Sequence, residues 1–292
     1  MGKPRTERAP AFAWVALRTG PVLPPVLLLL AAPLALLAHG NLHKEIEAAT
    51  RKIQAAPGDV ALWLERASLS RQHADFDGAL RDLTHARNLD PAAAPYDLLL
   101  GRAYAGARFH KSALLHLDRF LKETPEHPEA LLLRAKSRFI NKDVHGACAD
   151  YDQAIDLLQK PTPGQVLEQA HVHALNPDAG PAAAIARLEA AMERIGRVPT
   201  LQEAALQYEV QCEDYAAALT RINQLLKEAP RKERWLIQMG QVLLRADRPG
   251  EARSCFKQVI QLIDGLPPGV RERTLNQDLK RTAQAFLLET QP

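Results

Sequence analysis

Alanine recurs along this chain at a fixed interval and in a fixed relation to larger apolar residues. Two series with a 34-residue spacing are separated by one 37-residue step: Ala79, Ala113 and Ala147, then Ala184, Ala218 and Ala252. Large apolar side chains follow four residues later: Leu83, Leu117, Tyr151, Leu188, Ile222 and Phe256. Further apolar residues follow seven later: Ala86, Phe120, Ala154, Ala191, Leu225 and Val259. These offsets share one face of an α-helix, so the pattern predicts six helices that each bury one stripe.

A second helix is predicted before each of these helices, and a turn after it. Prolines mark the turns at positions 57, 91, 125 and 230, because proline cannot donate a backbone N–H and ends a helix. Small residues stand twelve places before four of the alanines: Ala67, Gly101, Ala135 and Gly240. We expect the two helices of each hairpin to cross closely there. A repeat of this length predicts a stack of helical hairpins, a solenoid.

This arrangement resembles the tetratricopeptide repeat (TPR). The residues that carry the resemblance are Trp63, Ala67, Phe76, Ala79, Leu83, Ala86 and Pro91, then Leu100, Gly101, Tyr104, Ala113 and Pro125, then Met239, Gly240, Leu243, Ala252 and Phe256. The resemblance implies an all-α, right-handed superhelical solenoid of about six hairpins with terminal capping helices. The predicted units are residues 60–93, 94–127, 128–161, 162–198, 199–232 and 233–266, with capping helices in 41–59 and 267–292.

Two features depart from the family pattern. Arg66 and Arg134 stand where the family prefers an apolar residue. The fourth unit has extra residues around Asn176 and Pro177 and no terminal proline.

The resemblance also implies where a partner would bind. In the family, side chains of the first helices line a concave groove, and register carries that role to Leu64, Ser68, Arg71, Gln72, Leu98, Arg102, Leu132, Lys136 and Phe139. A row of leucines flanked by cations would suit a peptide with spaced apolar residues, which contact the leucines, and some acidic residues, which contact the cations. The alternative is that the leucines pack in the core and the cations are solvated. Leu64 and Ser68 replace the lysine and asparagine with which some members clamp chaperone C-termini.

The N-terminal 40 residues combine cations with an apolar run. Four basic residues and one acid precede an uncharged stretch from Thr19 to Leu42, whose apolar centre is Val26–Ala38. That length and the sequence Ala38-His39-Gly40 are typical of a cleaved signal peptide. The alternative is an uncleaved anchor, because the uncharged stretch approaches the ~20 residues that span a bilayer. Either reading places the repeats beyond the cytoplasmic membrane, in the periplasm or secreted, with membrane contact only through residues 19–40.

Charge and motifs argue against several other functions. Outside residues 1–40 the chain carries 33 basic and 33 acidic side chains, so it has no basic footprint for nucleic acid. Its ten histidines lack the spacing of metal ligands, and no phosphate loop or nucleophile motif is present. We therefore expect no catalytic residue, no metal and no cofactor. Asp150 and Asp152 are expected to face solvent, and the cysteines at 148, 212 and 255 to pack as small hydrophobes.

Three functional hypotheses follow. The first is a non-enzymatic, exported or membrane-anchored scaffold that presents its groove to a protein or peptide. The second is an enzyme or metal-binding protein with a site in the irregular fourth unit, around His171, His173 and Asp178. The third is a self-associating structural spacer.

Overall fold

The computed structural model describes residues 41–290, which form a linear stack of antiparallel helix pairs. Helix α1 covers residues 41–55. Six hairpins follow, each with a first and a second helix: α2 (Val60–Gln72) and α3 (Phe76–Leu89), α4 (Tyr96–Gly106) and α5 (His110–Glu123), α6 (Pro128–Ile140) and α7 (Val144–Leu157), α8 (Pro163–Ala174) and α9 (Gly180–Ile195), α10 (Pro199–Gln211) and α11 (Tyr215–Glu228), α12 (Glu233–Arg245) and α13 (Pro249–Asp264). The short α14 (Pro268–Arg271) and α15 (Thr274–Glu289) complete it.

The all-α prediction is confirmed. No strand occurs between residues 41 and 290. Consecutive helices from α2 to α13 pack on each other, and α15 packs on both helices of the sixth hairpin. No helix within that range is long and apolar enough to span a bilayer. The predicted signal or anchor lies in residues 1–40, outside the described residues.

The close crossing within each hairpin is confirmed at the predicted residues. All six recurring alanines are fully buried, and Ala67 and Ala135 are buried opposite them. A Cβ atom built on Gly101 would lie 2.7 Å from Leu117 Cγ, and one built on Gly240 would lie 2.5 Å from the Phe256 ring. The small residue of the first helix therefore makes room for the large side chain four residues after the alanine.

The turn inside the hairpin also repeats. Five hairpins place a non-glycine residue at positive φ there: Ala74, Arg108, Lys142, Glu213 and Asp247. In hairpins 1, 3 and 5 the next residue is an aspartate whose carboxylate accepts a hydrogen bond from a backbone N–H in the first turn of the second helix. Such a cap satisfies a donor that the helix itself leaves unpaired. In hairpin 2 that position is Phe109, which cannot cap.

The irregular fourth unit is a complete hairpin. Its first helix begins with a capping box, in which Thr162 and Gln165 exchange side-chain and backbone hydrogen bonds. The longer turn, residues 175–179, ends at Gly180 with φ 62°. The extra residues therefore lengthen the turn and leave the helix pair intact.

Arg66 and Arg134 depart from the apolar pattern because each has a carboxylate partner 16 residues on. Arg66 donates two hydrogen bonds to Asp82 at 2.7 and 2.8 Å, and Arg134 makes the same pair of bonds to Asp150. Asp82 is 5 % exposed and Asp150 is 3 % exposed. The expectation that Asp150 faces solvent is therefore wrong. Its carboxylate is drawn inward because a cation has replaced an apolar neighbour.

A second set of ion pairs joins successive hairpins. Asp118 lies 3.0 Å from Arg134 of the next hairpin, and Asp152 lies 2.7 Å from Arg187. Glu189 pairs likewise with Arg221, which also binds Glu209 in its own hairpin. The three acids stand five residues after a recurring alanine, so one repeated position supplies a charged link along the stack.

We expect Gly101→Ala to lower the free energy of unfolding by about 1–3 kcal/mol, because its methyl group would overlap Leu117. Urea unfolding followed by circular dichroism measures this. Gly250→Ala is the matched control: its Cβ would meet nothing within 4 Å, and alanine is the better helix former. Equal destabilisation by both changes would contradict the close crossing.

Removing one partner of the Arg66–Asp82 pair should be costly, because it leaves a buried carboxylate unpaired. We expect Arg66→Met to lower the free energy of unfolding by about 2–3 kcal/mol. The loss should be smaller than for a fully buried ion pair, because the Arg66 guanidinium is partly exposed. Adding Asp82→Leu should recover most of that loss. Arg248→Met, which breaks the exposed pair with Glu251, should leave the unfolding midpoint unchanged. No recovery in the double variant would show that the pair is not the cause.

Candidate functional site

The first helices form one side of the stack, and two pairs of successive first helices pack against each other. Helix α4 packs against α6 and α8 packs against α10, although a second helix lies between them in the chain. Elements approach each other more closely on the inside of a curved stack, so the first helices line its inner side. We call the solvent-facing part of α2, α4, α6 and α8 the inner face. It consists of Leu64, Ser68, Arg71, Gln72, Arg102, Leu132, Lys136, Phe139 and His171.

The structure places most of the sequence-predicted groove residues at the surface. Ser68, Gln72 and Lys136 are exposed, while Leu64, Arg71, Arg102, Leu132 and Phe139 are half-buried. Leu98 is the exception. It is only 6 % exposed and packs with Ala113, Leu117 and Leu131, so its predicted place in an exposed groove is wrong. Helix α4 packs there against α5 and against the next first helix, α6, and Leu98 fills the space between these helices.

Two of the three cations of the inner face, Arg102 and Lys136, are paired with acids from the next first helix. Arg102 donates to Glu129 at 2.7 Å, and Lys136 lies 3.7 Å from Glu168. Farther along, Arg234 lies 3.0 Å from Glu203. These acids were not identified from the sequence. Their positions follow from register only once the packing of neighbouring first helices is known. The inner face is therefore close to neutral, and an acidic ligand would compete with its own carboxylates.

An aromatic contact extends the inner face into the fourth hairpin. The Phe139 and His171 rings meet edge to face with centroids 5.8 Å apart. His171 is exposed and Phe139 half-buried, so both rings are accessible from solvent. His171 was considered only as part of a metal or catalytic group, yet its neighbour identifies it as part of the inner face.

The three side chains of the enzyme hypothesis do not converge. His173 is 5 % exposed and lies 2.8 Å from Asp152, whereas Asp178 lies 2.6 Å from the exposed His145. His171 belongs to the inner face. No group of histidine, cysteine or carboxylate side chains in residues 41–290 has the arrangement of a metal site.

Asp152 is the centre of a structural polar cluster. It accepts hydrogen bonds from Gln169 and Arg187 and lies beside His173. Burial opposes its ionisation, but these hydrogen bonds outweigh that effect and hold its pKa well below the usual range. This carboxylate contacts three side chains from α8 and α9 and so links the third hairpin to the fourth.

Two of the three cysteines are buried and one is exposed. Cys148 and Cys255 are buried, and burial raises the pKa of both thiols. Cys212 is exposed, so the expectation that all three pack as hydrophobes is wrong for that residue. It occupies the first-to-second-helix turn of hairpin 5, where the chain has no core to bury it.

Comparisons with known structures agree on the fold. A TPR repeat-containing protein from Cytophaga hutchinsonii, solved as its C-terminal part, matches with a TM-score of 0.63 at 12 % identity over 82 % of this chain and 94 % of that one. A TPR protein from Parabacteroides merdae matches with a TM-score of 0.50 at 17 % identity over 88 % and 97 %. YrrB, described as a TPR protein with an unusual peptide-binding site, matches with a TM-score of 0.51 at 17 % identity over 70 % and 99 %.

These matches define the class of protein: the chain is a helical-repeat solenoid, and it has the TPR fold. The resemblance seen in the sequence is therefore confirmed at the level of the fold. No protein-family model matches the sequence, and no curated protein matches it significantly.

Proposed function

We propose that this protein is a non-enzymatic scaffold that holds a protein or peptide partner on its inner face. The observation that carries the proposal is the accessible Phe139–His171 pair beside the half-buried Leu132, in the middle of a stack of first helices. Aromatic and aliphatic anchors of this kind supply most of the binding free energy at protein interfaces. A rigid stack loses little conformational entropy when a partner binds, which favours affinity.

The charges of the inner face specify the kind of partner. Because Arg102 and Lys136 already face Glu129 and Glu168, an acidic peptide gains less than the cations alone suggest. A segment with spaced apolar side chains and charges of both signs fits this face better. The description of YrrB as a peptide-binding TPR protein supports the class of partner.

A photo-crosslinking amino acid tests the site directly. Incorporated at Phe139, it should trap a discrete protein partner in cells of the source organism, because this ring faces solvent between two first helices. The matched control is Leu115, an apolar side chain on the second helix α5 that is 53 % exposed. Mass spectrometry identifies the adducts.

A partner trapped equally at Leu115, or at Leu115 alone, would place the binding surface on the second helices. Adding Lys136→Glu should weaken crosslinking at Phe139. The change replaces the Lys136–Glu168 ion pair by two neighbouring carboxylates, which alters the charge that a partner meets on the inner face. Lys122→Glu on α5 carries the same change of charge on an exposed second-helix position and should have no effect.

We further propose that the scaffold works beyond the cytoplasmic membrane, exported or anchored there by its N-terminal segment. The proposal is supported by four cations before the apolar run Val26–Ala38. A reporter that is active only outside the cytoplasm, fused after Gly40, should be active. A mature N-terminus near Asn41 would indicate cleavage, and full-length protein in carbonate-washed membranes would indicate an anchor. Intact protein recovered only from the cytosol would contradict both.

A further inference from the structure

Large apolar side chains are exposed at one edge of the stack, where first helices turn into second helices. Phe109, Ile140 and Leu175 lie at this edge in hairpins 2, 3 and 4 and are 56 %, 46 % and 52 % exposed. The three side chains occupy different positions in their turns: Ile140 ends α6, Leu175 follows the last residue of α8, and Phe109 precedes α5. Among the described residues, no exposed large apolar side chain lies in the corresponding turns of hairpins 1, 5 and 6.

Phe109 is unfavourable for folding at its position. Hairpins 1, 3 and 5 place a capping aspartate there, and replacing such a cap by an apolar residue costs about 1 kcal/mol. The ring is more than half exposed, so its burial does not offset the loss within the chain. A contact outside the chain would account for it.

Exposed cations lie beside two of these apolar side chains. Arg108 and Lys111 flank Phe109 in the sequence, and Lys142 lies two residues after Ile140; the side chains of these three cations make no ion pair with any of residues 41–290. Of the acids at these turns, Asp143 caps α7 and lies 3.6 Å from Arg138, Asp178 faces His145, Asp75 caps α3, and Asp77 is exposed. Burial lowers the pKa of His110, and Lys136 and Arg108 lower it further. The edge is thus apolar at its tips, with unpaired cations beside Phe109 and Ile140.

The chain enters the stack at this same edge. Helix α1 runs antiparallel to α2, since the ring centroids of His43 and His73 are 6.2 Å apart and Lys52 pairs with Glu65. His73 ends α2 at the first-to-second-helix turn of hairpin 1. The first residues of α1, which continue the uncharged stretch Thr19–Leu42, therefore lie along the edge that carries Phe109 and Ile140.

We propose that this edge docks on an anionic membrane surface, with Phe109, Ile140 and Leu175 inserted at the headgroup boundary and Arg108, Lys111 and Lys142 facing the lipid phosphates. Exposed apolar side chains with cations beside them are suited to such an interface, because the apolar groups enter the headgroup boundary and the cations face anionic lipids. This step rests on the anchored form proposed above, in which the retained N-terminal segment would hold the same edge against the bilayer and supply the second of the two signals that stable attachment requires. The inner face runs along the first helices and stays open for a partner.

The test uses the full chain with Cys212→Ser, since Cys212 is the exposed thiol in the described part. An environment-sensitive dye is attached at Phe109→Cys, and in a matched protein at Ala92→Cys on the opposite edge. Both proteins are reconstituted into phosphatidylcholine vesicles with and without phosphatidylglycerol. Quenching by spin-labelled lipid is then measured without any protein partner, so the result is independent of the scaffold proposal.

We expect blue-shifted emission and at least about twofold stronger lipid quenching at position 109 than at position 92, in anionic vesicles only. Adding Arg108→Asn, Lys111→Gln and Lys142→Asn should reduce quenching at 109 to the level at 92. Asparagine suits the positive φ at 108 and 142, so the turns should keep their shape. A water-like signal at 109 in both lipids, or quenching indifferent to phosphatidylglycerol, would overturn the proposal. Crosslinking of position 109 to an acidic protein without lipid quenching would assign the edge to that protein instead.

Discussion

The whole stack depends on the close crossing of the two helices in each hairpin. A large side chain of the second helix, Leu117 or Phe256, occupies the space that a glycine leaves open on the first. No single hairpin can bury its remaining apolar surface alone, so each must pack on the next. The spacing of the first helices, and therefore the shape of the inner face, follows from that one repeated contact.

Charge adds a second constraint on top of apolar packing. Arg66 and Arg134 stand at positions where the repeat pattern has apolar residues. They can be partly buried there because Asp82 and Asp150 pair with their guanidinium groups. Asp118, Asp152 and Glu189 then connect consecutive hairpins through arginines. Buried ion pairs add little net stability compared with apolar residues of similar volume. Their effect here is on geometry. Each arginine can pair only when the neighbouring hairpin places a carboxylate beside it, so the pairs fix the register between consecutive hairpins.

The sequence predicts the repeated features well and the individual ones poorly. The buried alanines, the small residues opposite them and the hairpin turns all follow from a strict period, and each was found where register placed it. Leu98 and Asp150 were misplaced because their burial depends on a neighbouring helix: Leu98 fills a gap between first helices, and Asp150 follows Arg134 inward. The pairing of Lys136 with Glu168 could not be read from spacing, since it depends on how the neighbouring first helices α6 and α8 pack. The sequence distinguishes Phe109 only in that it stands where hairpins 1, 3 and 5 have a capping aspartate.

The inner face and the apolar edge are neighbouring surfaces of the same stack: Phe139 belongs to the first and Ile140 to the second. A partner on the inner face and a membrane at the edge, as proposed, would contact different side chains. Hydrogen–deuterium exchange of the full chain, alone and in complex with the partner trapped at Phe139, tests whether the inner face binds that partner. We expect binding to slow exchange in the first helices α2, α4, α6 and α8 and to leave exchange in the second helices α3, α5 and α7 unchanged. Protection confined to the second helices, or to α15, would contradict it.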